Sequence, residues 1–330
     1  ETDIQSFLDR RKPGQSRYTT KRNEGDKVEI LSGIFEGKTT GTPISLIVRN
    51  EDQISRDCGN IKDFYRPGHA DYTFSEKYGF RDYRGGGRSS GRETIGRVAA
   101  GAVASRILQQ LGIEVRAYTK AIGNIVIPEN EYDFSCISQN SLQMPNQAYA
   151  LRAAEYLEEC MKNQDSSGGI IECSITGLPV GIGEPVFEKL DANLAKAIMS
   201  IGAVKGVEIG DGFHAASANG SSNNDPFRTA SGGHDIQKAT NHSGGTLGGM
   251  SDGSTLILRA AVKPTPSISR VQQTVNTSGD EIELSIHGRH DPVIVPRAVV
   301  VVESMAALTL IDMLLINMSA KLENIIEFYK

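Results

Sequence analysis

The chain has 330 residues, 38% hydrophobic and 23% charged, with a formal net charge of −5 and a mean hydropathy of −0.29. Such a chain buries a sizeable core and is neither disordered nor fibrous; its acidity weighs against a general nucleic-acid binder, which needs excess cations to neutralise phosphates. No run reaches the roughly 18 uninterrupted apolar residues of a membrane span, because Glu303 and Asp312 break the densest one, 298–315, so neither nucleic acid nor membrane is an expected partner.

Asp3-Ile4-Gln5-Ser6-Phe7-Leu8 already has helical character although the chain opens at Glu1 without methionine. A preceding N-terminal segment is therefore expected, and a removed targeting peptide stays compatible with an otherwise cytoplasmic location. Strands at 28–35 and 44–48 lead into a loop-rich stretch through Gly87. A helix from Gly91 to Leu111 places Ile95, Val98, Ala99, Ala102, Val103, Ile107 and Leu111 on one stripe. Ser90 with Glu93 fits a capping box there, and Gly112 fits a stop signal. Further helices are predicted at 148–162, 185–201 and 300–326, and further strands at 115–118, 169–175, 204–209, 254–262 and 281–287. Helices and strands are grouped rather than alternating, which gives an α+β fold. With no repeat, linker or composition shift, 1–330 is expected to be a single large domain. Cys58, Cys136, Cys160 and Cys173 lack metal-ligand or disulfide-framework spacing, so free thiols and no metal are expected.

Cations gather in two stretches. Arg10, Arg11, Lys12, Arg17, Lys21 and Arg22 occur with no intervening acid, and Arg66, Lys77, Arg81, Arg84, Arg88, Arg92 and Arg97 outnumber Asp71, Glu76, Asp82 and Glu93. In an acidic chain this points to a held anion, the alternative being a solvated basic face with scattered salt bridges. Arg84-Gly85-Gly86-Gly87-Arg88-Ser89-Ser90-Gly91 runs straight onto a predicted helix start, where unpaired N–H groups, hydroxyls and guanidinium forks suit a phosphate. The stretch lacks the Lys-Ser/Thr of a Walker loop, and no G-x-G-x-x-G occurs in the chain. An RGG-type RNA contact is a competing reading, against which stands the single occurrence of the segment.

His69 lies in Arg66-Pro67-Gly68-His69-Ala70-Asp71-Tyr72, a polar loop where an imidazole titrates or hydrogen-bonds more often than it fills a core. His242 and His290 also sit in loops. Ser243-Gly244-Gly245-Thr246-Leu247-Gly248-Gly249 brings backbone against a ligand or simply turns, and Lys263-Pro264-Thr265-Pro266-Ser267 is either a ligand loop or a proline-stiffened edge turn.

With these residues in view, the chain resembles the chorismate synthase family. The resemblance rests on 66–73, 83–90, 206–210, His242-Ser243-Gly244-Gly245, 263–267 and Gly288-Arg289-His290-Asp291-Pro292, in family order. The family's N-terminal Gly-Glu-Ser-His-Gly stretch has no match here, which the resemblance explains by truncation before Glu1. It implies an α+β sandwich of antiparallel sheets and helices, assembled as a homotetramer. It also implies anti-1,4-elimination of phosphate from 5-enolpyruvylshikimate 3-phosphate with reduced FMN, without net redox change. His69 and Asp291 would be catalytic, the first beside flavin N1 and the C2 carbonyl, the second in proton movement near N5. FMN would meet Arg88, Ser89, Ser90, Gly202, Ala203, Gly248, Lys263, Pro264, Thr265, Pro266, Ser267 and Arg289; Gly202 departs from the asparagine expected there. Arg11 and Arg17 match positions associated with a pyridine nucleotide, NADPH serving as indirect reductant through a separate flavin reductase. A flavin oxidoreductase with net electron transfer, and a non-catalytic phospholigand or RNA-binding module, are the other classes to be tested.

Overall fold

Alternation builds the central sheet. Along Leu256–Val262, Leu256, Leu258, Ala260 and Val262 are buried while Arg259 faces the other way, the period-2 signature of a strand covered on one side. The computed structural model describes residues 1–20, 24–50, 61–84, 89–229, 236–286 and 290–330. Its strands are β1 (Val28–Ser32), β2 (Ile34–Phe35), β3 (Lys38–Thr39), β4 (Ser45–Val48), β5 (Glu114–Ile122), β6 (Ile125–Val126), β7 (Gly169–Thr176) and β8 (Val204–Ile209). Then follow β9 (Phe227–Thr229), β10 (Ile236–Lys238), β11 (Thr246–Leu247), β12 (Met250–Ser251), β13 (Leu256–Val262), β14 (Gln272–Val275) and β15 (Glu281–Leu284). The helices are α1 (Thr2–Arg11), α2 (Asp71–Tyr78), α3 (Thr94–Gln110), α4 (Gln147–Lys162), α5 (Leu190–Met199), α6 (Gly220–Asn223), α7 (Val295–Asn317) and α8 (Leu322–Phe328).

The main sheet is antiparallel, in the order β6-β5-β7-β13-β8, and the other described pairs are short antiparallel hairpins or ribbons. One face of it packs on α3, α5 and α7, burying Ala117, Ile171, Cys173, Ile175 and Leu258 with Val299, Val302, Ala306 and Leu310. On the opposite face Tyr118, Glu172 and Arg259 stand side by side across three strands. There the Tyr118 hydroxyl donates to Glu172 at 2.5 Å and Arg259 Nε donates to the same carboxylate at 2.6 Å. This is the α+β arrangement of antiparallel sheet and helices that the sequence led us to expect.

Helix α7 is long and apolar enough, by length and composition alone, to cross a membrane, although Glu303 and Asp312 interrupt its apolar run. It is a core helix instead, with 61% of that stretch buried. Glu303 is held by a bidentate pair from Arg10 at 2.7 and 2.9 Å and by the Ala117 N–H at 3.3 Å. Helices α3 and α7 touch closely, since a Cβ on Gly101 would stand 2.2 Å from Ser304 Cβ.

Several boundaries differ from expectation. Helix α2 lies inside the stretch expected to be loop, closed by Gly79 at φ +77°; its apolar residues face outward, so no stripe marks it. The 185–201 helix begins only at Leu190 and the 300–326 helix begins at Val295, with Pro296 in its first turn, and breaks after Asn317. The predicted strand at 28–35 is divided at Gly33, φ +86°. Ser90 makes no side-chain cap, because Glu93 turns to Arg97 at 2.9 Å and residues Gly91–Glu93 form a 3-10 turn ahead of α3. Gly112, φ +73°, does end α3: its N–H bonds the Gln109 carbonyl while Ile113 bonds that of Leu108. Cys136, Cys160 and Cys173 are free thiols, and Cys58 lies outside the described residues.

Candidate active site

Four core elements terminate at the same end of the molecule. β13 hands over to Lys263, whose N–H donates to the Ala203 carbonyl at 2.9 Å. Ala203 holds φ +74°, unusual for a residue with a Cβ, and follows the end of α5. From the first turn of α3, Arg97 donates to Ser200 Oγ at 2.6 Å and to its carbonyl at 3.1 Å. Just before α7, the Pro292 carbonyl accepts from Ser167 N–H at 2.9 Å, and Ser166 Oγ donates to the Thr265 carbonyl at 2.6 Å.

The His69 loop closes against this frame. Lys263 Nζ donates to the Gly68 carbonyl at 2.6 Å, and Gly68 (φ +70°) approaches so closely that a Cβ there would lie 2.9 Å from Pro266 Cβ. His69 Nε2 and Ser267 Oγ are 2.6 Å apart. Asp71 anchors the loop with Arg66 Nε and Nη2 at 2.7 and 2.8 Å, and with Arg81 at 3.0 Å. Burial pulls the His69 pKa down to about 4, helped by the positive charge of Arg66 and Lys263 and opposed by Asp71. The imidazole is therefore neutral at neutral pH, and an anion bound beside it would draw a proton onto it.

Asp291 is held on both oxygens. Oδ1 accepts from Thr20 N–H at 2.7 Å and Oδ2 from Arg297 Nη1 at 2.7 Å. Arg297 Nε in turn donates to the Arg11 carbonyl at 3.0 Å. The Arg11 guanidinium is buried, donating to Asp26 at 3.1 Å and to Thr94 Oγ1 and the Gly91 carbonyl at 3.3 Å. Burial, with Arg297 close by, lowers its pKa to about 10. A continuous polar chain thus links Asp291 to the start of α3.

The structure therefore gathers His69, Lys263, Pro264, Thr265, Pro266, Ser267, Ala203 and Asp291 at one end, with Ser89 and Ser90 at the start of α3. The position of a Cβ on Gly202 is open space. Gly248 is not part of this group. It turns the β11–β12 hairpin, which leads into the far end of β13, a strand of seven residues, so about 23 Å of strand separates it from Lys263. Arg17 is on the surface, paired with Glu158, its Nε donating to the Tyr18 hydroxyl at 2.8 Å. Arg88, Arg289 and the three glycines 85–87 lie outside the described residues. Sequence reasoning missed Thr20 and Arg297 as the partners of Asp291; nothing local marks a contact across 271 residues, and Arg297 falls within the helical run of α7.

The donor set suits FMN. Thr265 Oγ1 is buried without a hydrogen-bond partner among the described residues, an unsatisfied hydroxyl beside Lys263 and Ser267 that a flavin carbonyl or phosphate oxygen would satisfy.

A family model described as chorismate synthase matches residues 1–315. The chain is 66% identical over 330 residues to the chorismate synthase of Agathobacter rectalis, covering 100% of this chain and 89% of that relative. It is 56% identical over 314 residues to that of Methanococcoides burtonii, covering 94% and 85% of the two chains. Among solved structures, a crystal structure of chorismate synthase superposes with a TM-score of 0.76 at 30% identity, covering 96% of this chain and 84% of that one.

Proposed function

The chain belongs to the chorismate synthase family, a carbon–oxygen lyase family that forms chorismate in the shikimate pathway, and from that premise we propose how its residues carry the reaction. The substrate is 5-enolpyruvylshikimate 3-phosphate; its allylic C–O bond to phosphate and a C6–H bond break in an anti-1,4-elimination. When bound, reduced FMN lends electron density to the departure of phosphate and is regained, so no net oxidation occurs.

Arg66 and Lys263 place positive charge beside the ligand, and Ser89 and Ser90 offer hydroxyls where the N–H groups of α3 emerge. Arg88 and Arg289 are assigned to the same cofactor on the family resemblance. Thr265 satisfies its buried hydroxyl on the ligand. His69, neutral when the site is empty, holds or releases a proton beside the ligand anion. Asp291, fixed by Thr20 and Arg297, takes part in moving the substrate proton. The observation that carries this reading is the 2.6 Å contact of His69 with Ser267, which joins two sequence motifs 198 residues apart into one cationic, hydroxyl-lined site. NADPH acts only as indirect reductant through a separate reductase. For it to bind between Arg11 and Arg17 it would have to displace Asp26 from the first and Glu158 from the second. The working enzyme is a cytoplasmic homotetramer of single-domain chains.

An anaerobic assay with the phosphorylated substrate and reduced FMN, following phosphate and chorismate together, tests the proposal. Many turnovers should follow one reduction. Product halting at one equivalent per reduced flavin would identify an oxidoreductase, and binding without turnover a phospholigand module.

A further inference from the structure

Ser267 has a task distinct from touching cofactor. It is only 5% exposed, and among the described residues its hydroxyl has one hydrogen-bond partner, Nε2 of His69. A buried hydroxyl with a single neighbour donates to it if that neighbour can accept. A neutral imidazole accepts on one nitrogen and carries its proton on the other, so donation to Nε2 leaves the proton on Nδ1. Nδ1 makes no hydrogen bond to the described residues. The alternative tautomer would bury the Ser267 proton with no acceptor, which is unfavourable.

We propose that Ser267 is a positioning residue: its hydroxyl locks the His69 ring and selects the Nδ1–H tautomer, so that the neutral ring presents Nδ1–H to the ligand as a hydrogen-bond donor and takes up any further proton at Nε2. When the ring becomes cationic the same hydroxyl rotates and accepts from Nε2–H, and the ring need not move as its charge changes. Four titratable side chains surround the imidazole: Arg66 and Asp71 from its own loop, Lys263 from the loop after β13, and His290 from the segment before α7. At neutral pH the burial of the ring, with Arg66, Lys263 and His290 and against Asp71, keeps it uncharged, which makes the choice of tautomer decisive. The proposal rests on the role assigned to His69 above.

The test uses flavin-free protein labelled with ¹⁵N-histidine and does not depend on turnover. Long-range ¹H–¹⁵N spectra should show His69 as the Nδ1–H tautomer in the unmodified protein, mainly as Nε2–H in Ser267→Ala, and again as Nδ1–H in Ser267→Thr. In the reconstituted enzyme Ser267→Ala should lower kcat roughly 10- to 100-fold, with FMN and substrate affinities within about threefold, and Ser267→Thr should recover most of the loss. An Nε2–H tautomer in the unmodified protein, or an unchanged tautomer in Ser267→Ala, overturns the proposal. So does a flipped tautomer with intact kcat. Full turnover in His69→Ala would instead sink the role of His69 itself, whatever the Ser267 variants show.

Discussion

Asp291 shows how a residue's surroundings restrict what it can do. With Oδ1 committed to Thr20 N–H and Oδ2 to Arg297, the carboxylate has a fixed orientation, and only its remaining lone pairs are free for a proton. In Asp291→Asn the amide oxygen can still accept from Thr20, but the NH₂ group then faces the Arg297 guanidinium. The variant should lose about 1–3 kcal/mol of stability, the scale of a charge-assisted hydrogen bond, measurable as a lower denaturant midpoint with an unchanged slope. Turnover should fall roughly 10²- to 10⁴-fold with FMN and substrate affinities nearly normal. Stopped-flow spectra would show the substrate-bound reduced complex forming and then persisting; intact turnover would assign the residue to the scaffold. The sequence identified Asp291 only through its motif, because its two partners come from segments with no local relation to it. His69 was legible from its polar loop, yet its protonation state was not, since that depends first on the burial of the ring once remote loops close over it, with Arg66 and Lys263 adding to the effect.

Among the elements, α3 was readable in detail because its stripe is regular and Gly112 closes it. α2 was not, because Tyr72 and Tyr78 are exposed and leave no periodic face. The early start of α7 was encoded in Pro296, which sits in the first turn. What no pattern revealed is why α3 has glycine at 101: the neighbour that needs the space, Ser304, is on another helix. Gly101→Ala would gain helix propensity in isolation, but its methyl would lie 2.2 Å from Ser304 Cβ and push apart two helices that both begin at the site. We expect a net loss of about 1–3 kcal/mol, seen as a lowered Tm, and a turnover deficit in the folded fraction as Ser90 and Asp291 separate. Paired substitution with Ser304→Gly should recover part of the stability. A more stable Gly101→Ala protein would show that the helices do not pack this way.

At the scale of the whole molecule, the α+β class was foreseeable from the grouping of strands and helices and the layering of sheet and helices only from the family resemblance, whereas the meeting of remote loops at one end of the sheet depends on strand order, which grouping does not specify. The same topology strands Gly248. If this glycine and Lys263 serve one flavin, the length of β13 between them requires two polypeptides to build a single site. Activity would then decline on dilution below the dissociation range while each chain stays folded by circular dichroism. Two preparations inactive for different reasons, His69→Ala and Gly248→Leu, would complement each other when mixed and allowed to exchange subunits, because some mixed assemblies would pair two undamaged halves. Absence of complementation despite proven exchange would place Gly248 in a purely local turn.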